Sequence, residues 1–412
     1  MTFRACYNLF AYPNVTILSK MPQVNPEILV WARETAGLGI DEAARSLQIG
    51  GTRRSGADVL EEYEAGVRTP SRPLLLKMAK VYRRPLLTFY LQQPPVRSER
   101  GEDFRTLPGG REFESAPKLD ALVRDVFVRQ RLVRSILEDA EEAQPLNFVG
   151  SITSAQSVGH AASVIRKRLL FDLDEFRRKK TIEESFNYIR ELTEKSGVFV
   201  LLMGNLGTHH TALSTDVFRG FALAEPVAPF IVVNDQDAKA AWSFTLLHEL
   251  AHIWLGRTGV SGADFGQRIE QFCNDIASEI LLPETDMEEL RQVDGDQSQM
   301  ISIISDFADR CKVSRALVAY RLLKRHKIDR EQWLELTEEF RRGWEAERAR
   351  KKEQAAGATG GPNYYVVKRH KVGSALVEVT RRAIIEGFVT PTKAGRILGV
   401  RPTNVQALVG AA

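Results

Sequence analysis

Cysteine is scarce in this chain. Only Cys6, Cys273 and Cys311 carry a thiol among 412 residues, and no two of them form a Cys-x-x-Cys pair. Three scattered thiols cannot build a disulfide framework, and a reducing compartment fits best. A surplus of one charge sign is missing too. Lys and Arg number 57 against 53 Asp and Glu, so the formal net charge is only +4. A balance that small argues for neither nucleic acid nor a membrane surface, and any basic face has to be local. Long apolar runs are absent: no window approaches ~18 uninterrupted apolar residues, so no membrane span is expected. The N-terminal residues also lack the charged-then-apolar pattern of a secretion signal. The simplest expected address is the cytoplasm.

What is there reads as globular, with 43% hydrophobic and 27% charged residues. The length exceeds one ordinary core and predicts two to four domains. Residues 1–24 carry little pattern. Asn25-Pro26 reads as a helix cap followed by a first-turn proline. Five short helices follow up to residue 91, separated by glycines and by the polar turn 50–56. Residues 92–117 are rich in Pro, Gly and charge and read as a connector. Helical patterns return at 119–143, 154–170 and 182–196. Then the period shortens: 198–202, 219–224 and 230–233 read as strands. Helices are expected at 238–255, 269–281, 300–311, 315–324 and 330–352. A glycine-rich linker and a small last module follow, with a strand at 364–367 and helices at 375–385, 391–398 and 402–408.

The strongest chemical signal lies in the 238–255 helix. His248 and His252 are four residues apart, with Glu249 directly after the first. On a helix, that spacing puts both imidazoles on one face, one turn apart. Two ring nitrogens can then meet one zinc ion at about 2.0–2.1 Å. Glu249 is poised to take a proton from a zinc-bound water, the general-base role in metallopeptidases. The flanks are apolar, so the helix is expected to be buried, and buried histidines need partners. A third ligand is sought in the next helix. Glu270 is the first choice and Glu279 the competitor, nine residues later on a similar face. Asn274, four residues after Glu270, can bond the far nitrogen of a ligand histidine, and Asp275 is a weaker candidate for such support. Two His and one Glu leave a fourth position open, as in catalytic rather than structural sites. His209 and His210 lie in a polar loop and read either as exposed or as reaching the site. The 219–224 run reads as a candidate edge on which an extended substrate could pair.

These pieces carry a resemblance. Residues 197–283 resemble the ImmA/IrrE family of zinc metallopeptidases through Gly197-Val198-Phe199-Val200, Arg219-Gly220-Phe221, Ile231-Val232-Val233-Asn234, the His248–His252 motif, and Glu270-x-x-Cys273-Asn274 running to Leu282-Pro283. The family usually has Ala where this chain has Cys273, a change read as packing. The resemblance implies that Glu270 is the third zinc ligand. It also implies a peptidase that cleaves transcriptional repressors.

The N-terminal helices are similar to the Cro/CI (XRE-type) helix-turn-helix domain at Arg33, Gly37-Leu38-Gly39-Ile40, Glu42-Ala43-Ala44, Leu60, Tyr63-Glu64, Gly66, Pro70 and Met78-Ala79. Such domains place their third helix in the DNA major groove. Here that helix carries Asp58, Glu61, Glu62 and Glu64 and none of the usual base-reading side chains. Arg53, Arg54, Arg68 and Arg72 flank it as candidate phosphate contacts. DNA binding and protein docking both stay open. The last module is basic through Lys368, Arg369, Lys371, Lys393, Arg396 and others. It reads as a solvated packing domain or a second nucleic-acid contact.

The expected fold is therefore α+β, mostly α. It comprises an XRE-like helix-turn-helix domain at 1–95, a helical connector at 96–180 and a zincin-like metallopeptidase domain with a small sheet at 181–340. A linker at 341–362 leads to a small helix-turn-helix-like domain at 363–412. The expected function is a Zn2+-dependent regulatory endopeptidase acting on a protein partner such as a repressor or toxin-like protein. The alternative is an antitoxin-like or DNA-binding regulator that uses the peptidase fold as a scaffold.

Overall fold

The computed structural model describes residues 24–51, 54–95, 116–208, 211–260, 266–290, 297–355 and 363–410. It divides into two compact units, Met1–Ser98 and Glu99–Ala412.

The first unit holds α1 (Pro26–Glu34), α2 (Ile40–Leu47), α3 (Gly56–Glu64), α4 (Arg72–Val81) and a closing 3-10 turn, Leu86–Tyr90. Side chains of Asn25, Ser55 and Ser71 accept hydrogen bonds from the first-turn amides of α1, α3 and α4. Each cap satisfies a donor that the helix itself leaves unpaired. Ile28, Leu29, Leu47, Leu60, Met78 and Phe89 form a fully enclosed core. Arg33 grips both carboxylate oxygens of Glu64 at 2.8 and 2.9 Å, tying α1 to α3.

The second unit is built around a small mixed sheet. Its elements are α5 (Ala116–Asp139), α6 (Val158–Leu169), α7 (Leu173–Arg178), α8 (Ile182–Lys195), β1 (Phe199–Leu202), β2 (Gly220–Leu223), β3 (Phe230–Val233), α9 (Lys239–Trp254), β4 (Gly259–Val260) and α10 (Gln267–Leu281). They continue with α11 (Gln297–Cys311), α12 (Arg315–Lys324), α13 (Arg330–Ala355), α14 (Tyr364–Val372), α15 (Ser374–Ile385), α16 (Pro391–Leu398) and α17 (Val405–Val409). The strand order is β1-β3-β2-β4. β1 runs parallel to β3, and β2 runs antiparallel to both β3 and β4. Each of β1, β2 and β3 is buried along its whole length. Alternation along the strands explains this. Val200, Leu202, Ala222, Ile231 and Val233 face one apolar cluster, with α6 and α8 to α12. Phe199, Leu201, Phe221, Phe230 and Val232 face another, with α5 and α14 to α17. A sheet covered on both faces reads as continuous apolar runs rather than a clean alternation.

Two expectations are corrected. Tyr364–Val372 is a helix, not a strand at 364–367. The run Tyr364-Tyr365-Val366-Val367 favours strand locally, but strand preference yields to packing. Asn363 caps the helix, and Gly373 ends it at φ +91°. Nor is β2 an edge. β3 takes one side, and β4 pairs with Phe221 and Ala222 on the other.

The C-terminal helices are fixed by one buried ion pair. Arg190 on α8 donates to Glu194 at 3.1 Å and to the carbonyls of His370, Lys371 and Val200. Glu194 accepts from the backbone amides of Ser374 and Ala375, both at 3.1 Å, at the start of α15. The pair thus caps the end of α14 and the start of α15 together. Only glycine fits at position 373, where an added Cβ would lie 2.3 Å from Glu194 Oε1 and 2.8 Å from Val200 O. Among the described residues no helix is long and apolar enough to cross a membrane.

Candidate metal centre

α9 is 16 residues long and buried nearly all round, packed against α8, α10, β2 and β3. That is why its sequence lacks a polar stripe. His248, Glu249 and His252 are buried in it, Glu249 and His252 completely. α10 crosses α9 and brings Glu270 to the two imidazoles. His248 Nε2 and His252 Nε2 are 3.1 Å apart, and they lie 3.4 and 3.3 Å from the two oxygens of Glu270. All three ligand-capable atoms fall within 4.8 Å of one another.

Three acceptor groups facing one another need a positive charge between them. Glu270 Oε1 is buried and has no hydrogen-bond partner. Burial works against ionisation of Glu270, yet the two imidazoles hold its pKa down at about 2. Burial lowers His252 to about 4, and the nearby His248 adds to this. Burial also opposes charge on His248, but Glu270 and Glu249 override it and its pKa is raised. A divalent cation bound by two nitrogens and one carboxylate oxygen fits this donor set.

Around the cluster, Gly220 on β2 lies against Glu249. An added Cβ there would sit 2.6 Å from Glu249 Oε1 and 2.8 Å from Thr245 Cγ2. The strand can pass over the carboxylate only because that residue has no side chain. Cys273 Sγ lies 3.7 Å from His252 Nδ1, so the thiol touches the His252 imidazole at the nitrogen that does not face Glu270. Asn274 is beside His248 and adds a hydrogen-bonding interaction that favours its charged form.

A cavity of 540 Å³ opens onto His248, Glu249, Glu270 and Asn274. Its walls include Thr215 to Arg219, Ala241 and Phe244. Leu317, Tyr320 and Trp333 line it as well. The Tyr320 hydroxyl donates to Asp275 at 2.6 Å, and Lys324 pairs with the same carboxylate at 3.0 Å. Asp275 is therefore engaged with α12. Glu279 is not part of the cluster: it pairs with Arg321 at 2.9 Å. His209 and His210 lie outside the described residues. Sequence reasoning did not single out Tyr320, Trp333 or the steric role of Gly220. The bare Gly in the 219–224 run was the only available hint, since an isolated strand glycine marks close approach.

In the first unit, Arg54 and Arg68 both pair with Glu62, at 2.6 and 3.2 Å. Arg72 is exposed, and Arg53 lies outside the described residues.

Buried His-Glu-x-x-His geometry with a carboxylate from the following helix defines a metallopeptidase-like domain. Residues 194–323 match the family model Peptidase_M78, described as the IrrE N-terminal-like domain. No curated protein and no solved structure matches the chain. The chain thus carries an IrrE N-terminal-like domain of a metallopeptidase family, with a candidate His-His-Glu metal site.

Proposed function

We propose that this chain is a zinc-dependent regulatory endopeptidase that cleaves a specific protein partner such as a transcriptional repressor. The observation that carries the reading is Glu249, a fully buried carboxylate set between two ligand histidines and opening onto the cavity. A scaffold has no use for an acid in that place. His248, His252 and Glu270 would hold the zinc ion, which would supply Lewis acidity at the scissile carbonyl. Glu249 takes the proton from the attacking water and passes it to the leaving amine nitrogen. Burial strengthens both exchanges by excluding bulk water. The test is metal content together with cleavage of a candidate partner by wild type and Glu249→Gln. Zinc retained with cleavage lost supports the peptidase. Equal cleavage by both proteins removes it.

A second reading concerns the first unit. Its helix-turn-helix resemblance suits either DNA or protein. Glu62 neutralises Arg54 and Arg68, two of the candidate phosphate contacts. That favours protein docking, with the unit presenting or recognising the regulated partner. A salt-dependent shift assay of the full chain on DNA decides: a steep loss of binding with salt restores the DNA reading.

A further inference from the structure

Several of the side chains that line the cavity beside the metal cluster are apolar. Ala241, Phe244 and His248 fall at i, i+3 and i+7 on α9 and so share one face. Ala241 and Phe244 are partly exposed there, whereas Trp242, Ser243, Thr245 and Leu246 are buried. The Phe244 ring centre lies 6.2 Å from that of His248. Leu317 and Trp333 complete the walls.

Trp333 stands out for two reasons. It belongs to α13, beyond the matched segment that ends at residue 323, so this wall comes from outside the family domain. Its indole N–H is buried and makes no hydrogen bond, so packing alone positions the ring. α13 in turn is fixed. Leu336 is buried, and Phe340 packs on the core. Further along, Arg348 donates to the carbonyl and side-chain oxygens of Gln236, both at 3.1 Å, in the loop that leads into α9. The helix therefore holds Trp333 in a set place relative to His248 and Glu249.

We propose that Trp333, Phe244 and Leu317 form a side-chain subsite that selects peptide substrates with a bulky apolar residue next to the cleaved bond. The inference rests on the peptidase reading and deepens it. The slot is continuous with the metal cluster, so its occupant lies beside the reacting carbonyl. Apolar walls reward an apolar side chain, while a polar one loses its water without gaining a partner. Thr215, Asp216 and Arg219, which also line the cavity, offer polar groups to the peptide backbone. Trp333 is a specificity-determining residue in this picture and takes no part in proton transfer.

The experiment uses the full chain carrying Glu249→Gln and zinc, with capped fluorescent peptides that differ at one position, Phe, Leu, Ser or Gly. Binding is read by anisotropy. Phe and Leu peptides should bind at least about 10-fold more tightly than the Gly peptide, the scale set by filling an apolar pocket. Adding Trp333→Ala should erase most of that difference, and Trp333→Phe should restore it. Equal binding of all four peptides, or a preference that survives Trp333→Ala, overturns the subsite. Cleavage by the Glu249 form tests the parent reading separately. Glu249-dependent cleavage without side-chain preference overturns the subsite and leaves the peptidase. Selective binding without any Glu249-dependent cleavage does the reverse.

Discussion

Two buried charge clusters lie in the second unit, and they are built on opposite logic. Arg190 and Glu194 form a closed set. Each nitrogen of the guanidinium and each oxygen of the carboxylate has a hydrogen-bond partner. His248, His252 and Glu270 form an open set, in which lone pairs converge and a buried carboxylate oxygen lacks a donor. A closed cluster fixes structure, because its desolvation is offset within the fold. An open one is a binding site for whatever supplies the missing charge. Burial alone distinguishes neither. The balance of donors and acceptors does.

The sharpest way to break this contrast is to remove one partner from each cluster. Arg190→Met leaves the buried Glu194 carboxylate without its counter-charge, and should cost about 3–5 kcal/mol of stability. The measurement is chemical denaturation at neutral pH. A loss below about 1 kcal/mol would show that the pair is not a structural clamp. Glu270→Gln should act differently. Without added metal it loses the attraction to the two imidazoles that holds the Glu270 pKa down, so its denaturation midpoint at neutral pH should fall modestly below wild type. Its zinc affinity should fall by at least about 100-fold, more than typical of a group that only supports a ligand. Competition with a chromogenic chelator reads this directly, and unchanged affinity would remove Glu270 from the ligand set.

Gly220→Ala should come next in size. The new methyl displaces the Glu249 carboxylate while the metal ligands stay in place, so cleavage should drop by about 10- to 100-fold with zinc content retained. Loss of metal instead would mean that the strand supports the ligands as well as the base.

The smallest expected effect lies near the closed cluster. Lys368 on α14 is half-buried, and this desolvation together with nearby Arg129 and Lys371 lowers its pKa to about 8. The folded chain therefore releases this proton near pH 8, while the unfolded chain holds it to about 10.4. Between those values the unfolded state binds more protons, so stability rises with pH. Below pH 8 both states are protonated and the cost of burying the charge persists. Lys368→Met should then stabilise by about 1 kcal/mol at pH 7, with the gain fading above pH 10. Thermal melts across that range check the sign.

Much of this was legible from the residues in order. The i, i+4 histidines, the following glutamate and the helix carrying Glu270 are local patterns, and the periodicity that places them on helices is local too. The apolar runs at 198–202 and 230–233 announced strands, and both are buried along their length in the fold. The misread stretch, Tyr364 to Val367, failed for an equally plain reason. Four β-favouring residues have no intrinsic partner, and helix won once Arg190 and Gly373 fixed its end. Choosing Glu270 over Glu279 required either a resemblance or coordinates, because both lie on one helix and only the fold gives Glu279 to Arg321.

By itself the sequence determined which side chains could bind a metal, which helix carries them and where three of the strands run. These follow from spacing and hydrophobic period, which act over a few residues. Tertiary structure alone decided that Gly220 must be bare, that Trp333 walls the cavity and that Arg190 clamps helices 180 residues away. Those facts depend on surfaces meeting across the chain, and no short-range pattern encodes where distant surfaces meet.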